Sequence, residues 1–262
     1  MKNRAVTLTL LCVSLIIGIF TVQSSAKMDP NAIVGIWLFD EGKGNVANDS
    51  SKNGHDGQVP GGIKWVSGKW GQALEFSGSS GDYVKVPHDN ALSLTAWTIT
   101  VWVNLQKKDW QLLVQKSISG DKNNNNYSLY TKPDGSIDFN FIPLGGNAQL
   151  LNGKTVVVDG KWHHVVATHD GKTMHLYIDG VLDAETVTSD KPQLHTDALV
   201  IGGDDRGAGV QVKGIVDEVG LFNKALKEED IKSIMTNGLK AVAAVFPIGK
   251  LATTWGCVKN YE

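Results

Sequence analysis

Three aspartates occupy settings that ask for more than a turn. Asp40 follows the apolar run from Ile33 to Phe39, Asp49 lies in the Gly-rich segment after it, and Asp217 interrupts the apolar run Ile215 to Phe222. A carboxylate left unpartnered inside a buried strand costs on the order of several kcal/mol, so Asp217 needs a partner. Calcium takes six to eight oxygen donors from carboxylates, amides and backbone carbonyls in irregular loops. A structural calcium held by Asp40, Asp49 and Asp217, where the first and last strands lie side by side, is therefore expected. The alternative for Asp217 is a solvent-facing position or backbone hydrogen bonds, and Asp40 and Asp49 also read as turn formers.

Aromatic residues offer a second chemistry, because an indole face stacks on sugar C–H groups while nearby amides and carboxylates take the hydroxyls. The chain has 8 Trp. In the run Thr98 to Asn104, Trp102 shares one face with Thr98, Thr100 and Asn104, so it serves as a sugar platform or as a core residue. Trp110 follows Lys107, Lys108 and Asp109 in a polar stretch and reads as an exposed aromatic. Asp204, Asp205 and Arg206 after Ile201-Gly202-Gly203 form a polar loop that either reaches a ligand or is a solvated turn. Together, Trp102, Trp110, Asp204, Asp205 and Arg206 make up the candidate carbohydrate-binding set.

His163, His164, His169 and His175 fall on one expected hairpin around Asp170-Gly171. A two-residue turn there sets Val166 opposite His175 and leaves His164 and His175 diagonal on one face. Two imidazoles without a third ligand do not hold zinc.

The elements that must carry these residues are strands. Alternating or apolar runs recur at 33–39, 72–76, 83–86, 98–104, 112–116, 127–131, 137–142, 155–158, 162–168, 173–178, 181–187, 198–201 and 215–222. Asp134-Gly135, Asp159-Gly160, Asp170-Gly171 and Asp179-Gly180 separate several of them, where Asp and Gly tolerate positive φ. That turn chemistry accounts for most of the aspartates. Only Ala225 to Leu239 keeps helical spacing, with Gly238 as its stop. A dozen or so short strands exceed one open sheet and favour two antiparallel sheets packed face to face, followed by one short C-terminal helix.

The composition is that of an ordinary globular chain: 262 residues, 42% hydrophobic, 20% charged, net charge -2. It excludes collagen-like, coiled-coil and wholly disordered chains, and the acidic balance gives no support to nucleic-acid binding. Lys2 and Arg4 before the apolar run Ala5 to Phe20, then Ser24-Ser25-Ala26, read as a signal peptide over residues 1–26. The expected product is secreted, extracellular or periplasmic, with no stable membrane insertion after cleavage. Only Cys257 then remains, so no intrachain disulfide forms. Residues 27–245 read as one domain and 246–262 as a tail.

Several segments in fixed order carry a family resemblance: Trp37-Leu-Phe-Asp-Glu-Gly, Asp49-Ser-Ser-Lys-Asn-Gly, Gly71-Gln-Ala-Leu-Glu-Phe, Trp162-His-His-Val-Val-Ala-Thr, Leu176-Tyr-Ile-Asp-Gly and Gly214-Ile-Val-Asp-Glu-Val. The chain resembles the laminin-G-like domain of the concanavalin A-like lectin/glucanase superfamily. The resemblance implies an all-β jelly-roll sandwich and, in many relatives, a structural calcium near the aspartate matching Asp217. It leaves the ligand open, because the architecture serves lectins, adhesion domains and hydrolases. Glucanases of the superfamily carry Glu-x-Asp-x-x-Glu on one strand, and no such run exists here. The expectation is a non-catalytic module binding extracellular glycan, with a cell-surface protein partner as the alternative and a hydrolase as the third reading.

Overall fold

The computed structural model describes residues 28–117, 125–143, 146–188, 190–205 and 209–245. The expected signal peptide, the tail with Cys257, and Arg206 lie outside the described residues. Among the described residues the strands are β1 (Ile33–Trp37), β2 (Val46–Ala47), β3 (Gly57–Gln58), β4 (Lys64–Ser67), β5 (Gln72–Ser77), β6 (Val84–Val86), β7 (Trp97–Leu105) and β8 (Gln111–Ser117). They continue with β9 (Asn125–Thr131), β10 (Ile137–Phe141), β11 (Gln149–Asn152), β12 (Trp162–His169), β13 (Thr173–Ile178), β14 (Val181–Val187), β15 (Leu199–Ile201) and β16 (Lys213–Phe222), and the helix is α1 (Glu228–Val245).

Two eight-stranded antiparallel sheets result. The first runs β14-β13-β12-β7-β16-β5-β4, with β1 also on β16, and the second runs β11-β10-β9-β8-β15-β6-β3-β2. Period-two alternation drives the assembly: Trp97, Ile99, Val101 and Val103 of the first sheet meet Leu129, Phe139 and Ile201 of the second in one core. The all-β sandwich expected from the strand count is what forms.

The outer face of the first sheet is covered as well. Ile231, Ile234 and Leu239 of the helix pack on Ile36, Val166 and Phe222 in a second apolar cluster. Gly238 does not end the helix but breaks it, with φ 73 and ψ 164, and helical backbone resumes to Val245. A left-handed glycine there turns the chain without losing the packing of Leu239.

Two local expectations are corrected. The run 155–158 is not a strand; the edge strand is β11, and Val157 is buried from a loop whose amide donates to the Gly135 carbonyl. Asp183 holds that loop by accepting from the amides of Lys154 and Thr155. The β12–β13 hairpin pairs Thr168 with His175, two residues from the expected register. The Asp170 carboxylate accepts from the amides of both Lys172 and Thr173, which widens the turn. His164 and His175 are thereby separated along the sheet, and no group of three His, Cys, Asp or Glu suited to a metal occurs among the described residues.

Candidate functional site

The first and last strands are neighbours, with Trp37 opposite Val219. Along β16 the partner changes from β5 to β1, and a bulge between Asp217 and Gly220 marks the change. Asp217 and Glu218 sit on this bulge, and Glu218 has a φ of 51. The turn Lys69–Gln72 fills the gap. The Trp70 amide donates to Asp217 Oδ2 at 3.0 Å, and the Gln72 amide donates to Asp40 Oδ1 at 3.1 Å.

Asp217 is fully buried, and its Oδ1 has no hydrogen-bond partner. Burial, reinforced by the neighbouring Glu218, pushes its carboxyl up to about 7 against the pull of the Trp70 amide. Asp49 differs in kind. Its Oδ1 accepts from the amides of Ile36 and Ser51 and from the Ser51 hydroxyl, and its Oδ2 accepts from the His55 amide. Asp40 and Asp49 line one open cleft with Glu41, Asn48 and Asp56, whereas Asp217 is not part of its wall. The three aspartates therefore share a neighbourhood but are not drawn together as one ligand set.

Trp102 is only 5% exposed. Its ring lies 5.1 Å from that of His164, and the Lys69 ammonium stands 4.3 Å above it. It belongs to a buried layer on the outer face of the first sheet, not to an open platform. His164 Nε2 meets the Thr100 hydroxyl at 2.7 Å, and burial lowers that imidazole to about 4.

Trp110 is 43% exposed and stands edge-on to Tyr130, with ring centroids 6.3 Å apart. Its loop is fastened: the Gln106 amide donates to the Lys213 carbonyl, and Lys108 Nζ donates to the carbonyls of Gly78 and Gln211. Tyr130 belongs to the face of the second sheet turned away from the core. On that face the registers align Leu150, Asn140, Ser128, Gln115, Val200, Lys85, Gln58 and Val46 in one row across all eight strands. At the usual strand spacing the row is roughly 34 Å long.

Ser128, Gln115 and Val200 at its centre are buried, while Leu150, Lys85 and Gln58 near its ends are exposed. The face is thus a trough. Gln115 Nε2 donates to the hydroxyls of Ser128 and Tyr130 at 2.7 and 3.0 Å, and Asn125 Nδ2 donates to Asn140 Oδ1 at 2.9 Å. Asp138, beside the row, accepts from Asn140 and is raised above the ordinary carboxylate range by burial. Asp205 pairs with Lys85 at 3.0 Å, which puts it on the trough, while Asp204 is buried and its carbonyl accepts from Gln211.

A family model described as the concanavalin A-like lectin/glucanases superfamily matches residues 77–232. The chain belongs to this superfamily. No curated protein matches the sequence. Among solved structures, the binding domain of Paraclostridial Mosquitocidal Protein 1 superposes with a TM-score of 0.64 at 14% identity, covering 79% of this chain and 52% of that one. Domain 4 of AbnA, a GH43 extracellular arabinanase from Geobacillus stearothermophilus in complex with arabinotriose, gives 0.57 at 18% identity, covering 78% and 98%. Trypanosoma rangeli sialidase gives 0.61 at 18%, covering 81% and 33%. The chain thus spans about half the length of the toxin binding domain and a third of the sialidase, and likeness at these identities concerns the superfamily fold. Among the described residues no helix is long and apolar enough to cross a membrane.

Trp110 and Asp205, both expected from the sequence as candidates, lie beside this face, whereas Gln115, Ser128, Tyr130, Asn140 and Lys85 were not among the expected residues. The signal was present in the outward positions of the runs 83–86, 112–116, 127–131 and 137–142. What alternation lacked was the lateral register that joins them.

Proposed function

We propose that the protein is a secreted, non-catalytic module that binds extracellular carbohydrate along the trough of its second sheet. One observation carries this reading: the exposed Trp110, in a fastened loop, stands edge-on to Tyr130 beside a row in which Asn140, Lys85 and Gln58 are accessible, while the buried Gln115 and Ser128 brace Tyr130 from beneath. Accessible amide and ammonium groups take sugar hydroxyls, and an exposed aromatic supplies the stacking surface. The binding domains among the similar folds, one of them an arabinanase domain in complex with arabinotriose, support a binding role over a catalytic one.

Trp110→Ala is expected to weaken binding by about 10-fold or more while leaving thermal stability near wild type, because the ring is an exposed anchor. Titration with arabinotriose and a panel of other oligosaccharides measures it. Unchanged affinity would remove the trough from consideration.

Calcium is proposed for the cleft beside Asp40 and Asp49. What supports it is the chemistry of the lining and not a closed ligand cluster, since no three of these carboxylates are grouped as a metal site among the described residues: Asp40, Glu41, Asn48 and Asp56 line the cleft, and Glu41 Oε2 is buried without a hydrogen-bond partner. A cation binding only the native state raises the melting temperature. Thermal unfolding in millimolar calcium is therefore expected to lie above that in chelator, and coincident transitions would exclude the ion.

A further inference from the structure

A second cleft lies on the opposite sheet, between the Lys69–Gln72 turn and the break in the helix. Its volume is about 490 Å³, within the range of small-molecule sites. We propose that this cleft is a second carbohydrate site, selective for neutral sugar rings, so that the module carries ligands on two opposite faces. The proposal takes its ligand class from the function above, but its location rests on different residues.

Each wall is built and fixed. Trp70, 36% exposed, forms one side. Its turn is pinned twice, by Asp217 accepting from the Trp70 amide and by Asp40 accepting from the Gln72 amide. Gly71 has a φ of +58, and a Cβ there would stand 2.0 Å from Asp40 Oδ1, so the turn admits only glycine. Facing it, Gly238 breaks the helix beside the indole, where even a Cβ would make only ordinary van der Waals contact with the Trp70 ring at 3.5 Å. A walled aromatic held this way loses little freedom when a ligand arrives.

The polar groups suit hydroxyls. The Glu218 carboxyl, 2% exposed, contributes to the lining, and the Leu239 amide donates to its Oε2. Gln72 and Asn237 add amides, and Lys240 pairs with Asp40 across the rim at 3.2 Å. That pair cancels its own charge, so the lining offers no unpaired cation to an anionic sugar, while a neutral one meets donors, acceptors and an indole face.

The indole N–H resonances of Trp70 and Trp110, each assigned by its loss in the Trp70→Ala and Trp110→Ala variants, provide the test. Arabinotriose, cellotriose and sialyllactose are titrated into labelled protein. The expected result is that a neutral trisaccharide moves the Trp70 signal with its own saturation curve, that Trp110→Ala leaves this curve intact, and that sialyllactose does not move it. Gln72→Ala is expected to raise the dissociation constant read at Trp70 at least 5-fold. Movement of Trp110 alone overturns the second site and leaves the trough standing. Movement of Trp70 alone does the reverse, and silence from both signals across the panel overturns both readings.

Discussion

Asp217→Asn is expected to stabilise the protein above pH 7 and to leave it unchanged near pH 4. Burial raises the Asp217 carboxyl from its ordinary 3.8 to about 7, so the folded state holds a proton that the unfolded chain releases. A carboxyl raised in this way contributes stability that is fully present below about 3.8 and is lost as pH climbs through about 7. The ionised form is penalised by up to about 4 kcal/mol, an upper bound for such a displacement. Asparagine keeps an oxygen for the Trp70 amide and has no charge to bury. Glu218, also raised to about 7, remains in both proteins and cancels in the comparison.

Urea unfolding of the two proteins in chelator, at pH 4.5 and pH 8, measures the difference. A variant less stable than wild type at pH 8 would show that the Asp217 carboxylate is ionised and held in the fold. His164 and His169 act in the opposite direction. Burial lowers both to about 4, so their contribution is present above about 6.5 and is lost as pH falls through 4. The wild-type protein therefore balances acid-side losses against alkaline-side losses, and Asp217→Asn removes part of the alkaline loss alone.

Asp49→Ala is expected to be among the most damaging single changes in the domain. The carboxylate is fully buried and receives the amides of Ile36, Ser51 and His55 together with the Ser51 hydroxyl. Alanine strands these donors in a region that water does not reach readily, and each unmet group costs about 1–3 kcal/mol. A total loss of about 3–6 kcal/mol follows, large against the 5–15 kcal/mol that holds a typical domain. Asp49→Asn is expected to lose less, because one oxygen still accepts while its NH2 confronts an amide donor. Equilibrium denaturation reads both variants. A loss below about 1 kcal/mol for alanine would mean that the loop 48–56 is not organised through this side chain.

Much of the sandwich was legible because alternation is a local property: Ile99, Val101 and Val103 point inward wherever their strand is placed. The exceptions had physical causes. Val156 to Val158 has a strand's composition, yet Asp183 draws Lys154 and Thr155 away and the segment enters the core as a loop. Lys116 closes the run 112–116 with a charge, yet it is fully buried, donating to the Asp197 carbonyl and to His88 at 3.1 Å, and burial lowers it to about 8.

Composition and pattern alone determined the class of fold, the single late helix and the exposure of Trp110. Those depend on period, turn residues and the chemistry of neighbours along the chain. The tertiary structure decided what each polar residue faces. Trp102 and Trp110 are eight positions apart and equally aromatic, yet Lys69 and His164 cover the first while the second stands free. Asp217 received a backbone amide from a turn some 147 residues away. Gln115, Ser128 and Asn140 came into one row only through lateral register. Partners of that kind are fixed by pairing between distant strands, and a linear pattern holds no record of it.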